Sequence, residues 1–104
     1  MKSLRIGLLA LIASSCASTG GGLYVDDGGR GAALPVLFVH GNGASSVQWR
    51  AQLDHLRPSR RAIAYDLRGM GGSPIATTGD YSLGAMTSDL ETLVEHLRLK
   101  RFVL

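Results

Sequence analysis

The chain has 104 residues, 45% of them hydrophobic, a length that accommodates one small domain at most. Its formal charge of +3 shrinks when Lys2 and Arg5 of the N-terminal segment are set aside, because eleven basic residues become nine against eight acidic ones. Apart from Arg60-Arg61 and Lys100-Arg101 these charges are dispersed, which argues against a basic stripe for nucleic acid, and a single cysteine, Cys16, excludes an internal disulfide.

In chain order, a cationic head with Lys2 and Arg5 precedes an apolar run over residues 6–13, interrupted only by Gly7. The run is far shorter than the roughly 20 residues that a membrane-spanning helix needs. Small residues follow, and the order of charge, apolar run and small residues predicts an export signal over residues 1–17. Cys16 sits where the lipobox of bacterial lipoproteins, which this segment resembles, carries its acylated cysteine; Ala13 replaces the usual leucine. The alternatives are a lipid anchor at Cys16, giving membrane attachment, or plain cleavage after Ala17, giving a secreted or periplasmic protein. Residues 18–22, Ser-Thr-Gly-Gly-Gly, read as a flexible tether to a domain over residues 23–104.

Leu23-Tyr24-Val25 is a short β-prone piece, and Asp26-Asp27-Gly28-Gly29 is a turn signal. Val36-Leu37-Phe38-Val39 is a continuous apolar run of the kind buried on both faces of a sheet. After a loop over residues 41–45, Ser46 is the expected N-cap of a helix carrying Val47, Trp49, Ala51, Leu53 and Leu56, which Pro58 ends. Ala62-Ile63-Ala64-Tyr65 is a second buried strand, closed by Asp66 and a Gly-rich loop over residues 67–80. Ser82 is placed to cap a second helix with Leu83, Met86, Leu90, Leu93, Val94 and Leu97 on one face. Arg101-Phe102-Val103-Leu104 then begins another strand. Strand alternating with helix predicts an α/β fold, a mostly parallel sheet with helices on both faces.

The chemistry concentrates at two strand ends. His40-Gly41-Asn42-Gly43 follows a buried strand at its carboxyl end, where open α/β sheets place their ligands. Glycines there let the backbone turn its N–H groups toward a developing negative oxygen, although a plain tight turn has the same spacing. Asp66 at the next strand end fits a loop organiser better than a catalyst, since buried charges are paired. Trp49 on a helical stripe reads as core, and His55 and His96 sit near helix ends. No Cys or carboxylate accompanies them at metal-ligand spacing, so neither a metal nor a cofactor is implied.

Two of these segments carry a family resemblance. Leu34-Pro35-Val36-Leu37-Phe38-Val39-His40-Gly41-Asn42-Gly43, with Trp49 beyond it, resembles the third strand and HG oxyanion loop of the α/β-hydrolase family. Asp66-Leu67-Arg68-Gly69-Met70-Gly71-Gly72-Ser73 resembles that family's D-x-R-G-x-G-x-S segment after the fourth strand. The resemblance implies that the backbone N–H of Asn42 supplies half of an oxyanion hole. By the same comparison His40, Gly41 and Gly43 shape that loop, His40 not being the catalytic histidine, and Asp66, Arg68 and Gly69 brace the neighbouring loops.

The family's nucleophile sits in a G-x-S-x-G turn right after the fifth strand, and its acid and histidine come later. Gly43-Ala44-Ser45-Ser46-Val47 and Gly71-Gly72-Ser73-Pro74-Ile75 both fail at the last position. The expectation is therefore the N-terminal part of an exported hydrolase acting on carboxylic esters or related acyl substrates. It is expected to break off within the fifth strand and to be inactive alone. The alternatives are a haloalkane dehalogenase, epoxide hydrolase or haloperoxidase type of the same family, or a non-catalytic remnant. Proline usually stands at the position of Gly43 in the dehalogenases.

Overall fold

The computed structural model describes residues 18–20 and 22–104. The N-terminal segment over residues 1–17, with Cys16, lies outside the described residues. Four strands form one sheet: β1 Ser18–Gly20, β2 Leu23–Gly28, β3 Val36–Val39 and β4 Ala62–Tyr65, in the order β1-β2-β4-β3. β3 and β4 are parallel, whereas β1 pairs with β2, and β2 with β4, antiparallel. Parallel pairing is thus confined to residues 36–104, where helices provide the crossovers. A 3₁₀ turn over Ser46–Trp49 leads into α1, Arg50–Leu56, between β3 and β4. Helix α2, Leu83–His96, follows β4, and Val103 then bridges Val36 in parallel on the other side of β3.

Residues alternate between the two faces of the sheet, as the pleat requires. Leu37, Ile63 and Tyr65 form one core with Leu93 of α2 and Leu97 at its C-cap, together with Leu23 and Val25. Ala62 and Ala64 face Leu53 of α1 on the opposite side, where Phe38, Trp49 and Leu56 complete a smaller cluster. Trp49 stacks on Phe38 with ring centroids 4.7 Å apart, in the core role expected of it. Both faces of β4 are covered and all four of its residues are buried. β3 departs from the expectation of burial on both faces: Val39 remains 36% exposed, because β3 borders the four-strand sheet and, among the described residues, only the Val103 bridge adjoins its outer edge.

Four local readings are corrected. Ser18–Gly20, expected in a flexible tether, forms a strand in register with Leu23 to Val25, its backbone groups finding a ladder on the edge of β2. Asp26-Asp27-Gly28, expected to turn, continues β2 alongside Ala62 to Ala64, and the two carboxylates are neutralised by Arg57 at 2.8 Å and Arg61 at 2.6 Å. Ser45 rather than Ser46 caps the first helical segment: its backbone is extended, φ −156° and ψ 175°, and its hydroxyl accepts from the Val47 N–H, whereas Ser46 already lies inside the segment. Leu83, assigned to the apolar face of α2, lies in its first turn beyond the edge of the core and is 82% exposed.

Helix α2 starts as expected, with the Ser82 hydroxyl accepting from the Ala85 N–H. Its C-terminus closes with a Schellman pair: the Leu99 N–H donates to the Val94 carbonyl and the Arg98 N–H to the Glu95 carbonyl, both at 3.0 Å. Arg98 occupies the left-handed position of this motif, φ 58°, where glycine is the ordinary residue.

Candidate active site

His40 follows β3 directly and is only 3% exposed. Its Nε2 accepts from the Leu67 N–H at 2.9 Å, while Nδ1 lies 2.7 Å from the Gly41 carbonyl. An amide can only donate and a carbonyl can only accept, so the ring is the neutral tautomer with its proton on Nδ1. Both nitrogens are engaged within the protein, and the imidazole ties the loop after β3 to the loop after β4.

Residues 41–44 form a tight turn closed by the Ala44 N–H donating to the Gly41 carbonyl at 3.2 Å. Its third residue, Gly43, has φ 77°, while Asn42 lies outside the positive-φ region, the signature of a type II turn. A side chain at Gly43 would meet no neighbouring atom, so the glycine answers to the backbone angle rather than to space. Among the described residues the amides of Asn42 and Gly43 donate to no other backbone group, and both residues are exposed. Asn42 lines a cavity of about 530 Å³ together with Leu67, Met70, Tyr81 and Met86.

Asp66, 3% exposed, organises the other side of this region. One carboxylate oxygen accepts from the Ser46 N–H at 2.6 Å and the other from the Gly72 N–H at 2.8 Å. Burial pushes its pKa up, but the hydrogen bonds from Gly72 and Ser46 outweigh it, holding the carboxyl below its ordinary 3.8. The Gly72 loop reaches the carboxylate because Gly71, φ 51°, has no side chain: a Cβ there would fall on the Asp66 carboxylate. Ser73 completes the connection. Its hydroxyl donates to the Asp66 carbonyl at 2.5 Å and accepts from the Tyr24 N–H at 3.0 Å, beside the Asp66 N–H that donates to the Tyr24 carbonyl.

Arg68 holds the outer part of the same loop. Its Nε and Nη2 grip both oxygens of Asp89 on α2 at 2.7 Å, and Nη1 donates to the Asp80 carbonyl at 2.7 Å. The Asp89 hydrogen bond raises the guanidinium pKa further above its ordinary range. Gly69 packs under Tyr81, where an added Cβ would come within 2.7 Å of the ring. That ring in turn lines the cavity, and its hydroxyl accepts from the Ala76 N–H at 3.0 Å.

The sequence candidates His40, Gly41, Asn42, Gly43, Asp66, Arg68 and Gly69 thus lie in two adjoining loops joined by the His40–Leu67 and Asp66–Ser46 hydrogen bonds. His55 and His96 are exposed on their helices, away from these loops. The sequence reading missed Ser46, Leu67, Tyr81 and Met86. Ser73 was signalled only as the last residue of its segment, and nothing in residue spacing pointed to the Ser46 amide.

A family model described as alpha/beta hydrolase fold matches residues 35–104. Epoxide hydrolase 2 of Caenorhabditis elegans is 34% identical over 82 residues, 78% of this chain and 23% of that protein. Among solved structures, a bromoperoxidase from Bacillus anthracis superposes with a TM-score of 0.72 at 33% identity, over 84% of this chain and 32% of its own. An esterase from Exiguobacterium antarcticum gives 0.66 at 28% identity, over 83% and 32%. The chain therefore spans about a quarter to a third of the length of these three proteins.

Proposed function

The chain belongs to the α/β hydrolase fold family, and from that membership we propose that it supplies the oxyanion-stabilising part of a hydrolase acting on carboxylic esters or related acyl compounds. The observation that carries this reading is the pair of exposed amides at Asn42 and Gly43, outside any backbone ladder among the described residues, with Asn42 lining the cavity beside Leu67 and Tyr81. Donors held in place before reaction stabilise the oxygen that becomes negative as an acyl carbon is attacked. The Asn42 N–H takes that role. Gly41 and Gly43 shape the turn, His40 locks it to the second loop, and Asp66, Arg68 and Gly69 brace that loop.

The 104 residues contain no G-x-S-x-G run. The attacking serine accordingly comes from sequence outside them, at the turn after the fifth strand. It adds to the acyl carbon, the alcohol leaves, and water releases the acid from the serine ester. An aspartate at that turn would serve epoxide opening instead, a second reading favoured by the 34% identity to a nematode epoxide hydrolase. Export, with acylation at Cys16 as a membrane attachment, belongs to the same proposal and rests on the pattern of residues 1–17 alone.

The test uses the whole protein that contains this chain. Asn42 is the second residue of a type II turn, a position that welcomes proline, so Asn42→Pro removes the N–H and leaves the turn intact. Asn42→Ala removes the side chain and keeps the N–H. Asn42→Pro is expected to lower kcat for an aryl ester about 100-fold or more, the order found when one oxyanion donor is lost, with Asn42→Ala within a few-fold of the parent. Equal activity of the two variants would refute the assignment. Turnover of styrene oxide without turnover of the aryl ester would select the epoxide reading.

A further inference from the structure

At the end of the sheet remote from the candidate site, cations gather that are spread along the sequence. The Gly28-to-Gly31 segment packs so closely on the Ser59 and Arg60 carbonyls that side chains at Gly29 and Gly31 would strike them, which places Arg30 beside Arg60. Arg60 donates to the Leu34 carbonyl at 3.3 Å, Val103 donates to the neighbouring Pro35 carbonyl at 2.9 Å, and Arg61 reaches the Leu97 carbonyl at 3.2 Å. These contacts bring the turns carrying Arg30, Arg60, Arg98, Lys100 and Arg101 to one end of the sheet.

The local acids do not cancel this charge. Asp26 and Asp27 are occupied by Arg57 and Arg61, and none of the five cations forms an ion pair among the described residues. The remaining carboxylates nearby are Asp54 and Glu95, in the last turns of α1 and α2, two acids against five cations. Arg30, Arg98, Lys100 and Arg101 are exposed and Arg60 is half-buried. The entry of the chain is a second, independent observation. β1 runs antiparallel to β2, with Ser18 opposite Val25 and Gly20 opposite Leu23, so the chain comes into the sheet from the side of Asp26 to Gly28, where the cations lie.

We propose that this basic end is a docking surface for an anionic lipid bilayer, holding the domain with the Asn42 cavity turned away from the membrane. A fluid surface of dispersed negative headgroups suits cations distributed over several turns, whereas a phosphate backbone is tracked by a continuous stripe. This orientation is independent of the ester reading, since no residue of the proposed oxyanion turn takes part.

The experiment is co-sedimentation of the full chain with phosphatidylglycerol–phosphatidylcholine vesicles and with pure phosphatidylcholine vesicles, at low and high salt. The background is Lys2→Gln, Arg5→Gln and Cys16→Ser, which removes the leader's own cations and the thiol. Partition into the anionic vesicles is expected to exceed that into the zwitterionic ones by about tenfold or more and to collapse at high salt. Joint replacement Arg98→Glu, Lys100→Glu and Arg101→Glu is expected to abolish that preference, while Arg50→Glu, at the opposite end of α1, leaves it unchanged. The milder triple replacement by glutamine, expected to weaken the preference several-fold, carries the test if the reversal variant loses its native Trp49 fluorescence. Equal partition into both vesicle types, an anionic preference untouched by the triple variants, or tighter retention on duplex DNA than on anionic vesicles at the same salt would overturn the proposal.

Discussion

Asp66→Asn offers a direct test of the loop network, because it keeps the size of the side chain and changes only what its two ends can accept. The carboxylate receives the Ser46 N–H at one oxygen and the Gly72 N–H at the other. An amide has a single oxygen, so whichever way it is turned its NH₂ faces one of these two donors. The substitution loses one charge-assisted hydrogen bond, weakens the other, and leaves a buried donor unsatisfied. At about 1.5–3 kcal/mol for a hydrogen bond to a charged group, with a further cost for the stranded amide, the expected loss is roughly 3 kcal/mol. That is a large share of the few kcal/mol that hold a small domain together.

The assay is urea unfolding of the chain followed by Trp49 fluorescence. At neutral pH Asp66→Asn is expected to move the midpoint down by more than about 1 M, given slopes on the order of 1–3 kcal/mol/M. The pH dependence supplies a second readout. Because the folded carboxyl titrates below its ordinary 3.8, its contribution is complete above that value and disappears as pH falls through the folded pKa. The gap between parent and variant should therefore narrow below about pH 4 as the parent loses stability. A gap under about 1 kcal/mol at neutral pH, where the intact network predicts several, or a gap that stays constant down to about pH 2, would refute the account.

Two further outcomes follow from the same packing. Arg98→Gly should stabilise the chain by about 1 kcal/mol, the order of the left-handed penalty it relieves, read as a higher urea midpoint; a loss of stability would show that the Arg98 side chain contributes more than its backbone angle costs. Tyr65, 1% exposed, has its phenol pushed up from 10.0 to about 12, first by burial and then by the nearby charge of Asp89. An acid with a raised folded pKa stabilises below its unfolded value and loses that contribution as the unfolded chain ionises, so Tyr65→Phe should flatten a decline in stability of about 2–3 kcal/mol between about pH 10 and 12. An equal decline in both proteins would place its origin elsewhere.

Much of the fold was legible because the signals are local. The apolar tetrapeptide Ala62–Tyr65, the Ser82 cap and the 3.6-residue repeat through Leu93 and Leu97 each satisfy their own backbone and face requirements within a few residues. The readings that failed depended on remote partners. Asp26 and Asp27 look like turn residues until Arg57 and Arg61, more than thirty positions on, neutralise them within a strand. Ser18–Gly20 has the composition of a tether until the edge of β2 offers it a ladder.

The candidate site divides in the same way. Residue type and spacing placed His40 to Gly43 and Asp66 to Gly69 in loops at strand ends, where a plain tight turn reads the same, and it was the resemblance to the α/β-hydrolase family that implied roles for them. Only tertiary structure decided that the two loops are one assembly. The proton on His40 Nδ1, the Ser46 amide at Asp66 and the seating of Ser73 between Tyr24 and Asp66 arise from groups brought together across the sheet. A hydrogen bond reports on distance in space rather than along the chain, and buried polar groups must find partners wherever the packing of β3, β4 and α2 leaves them.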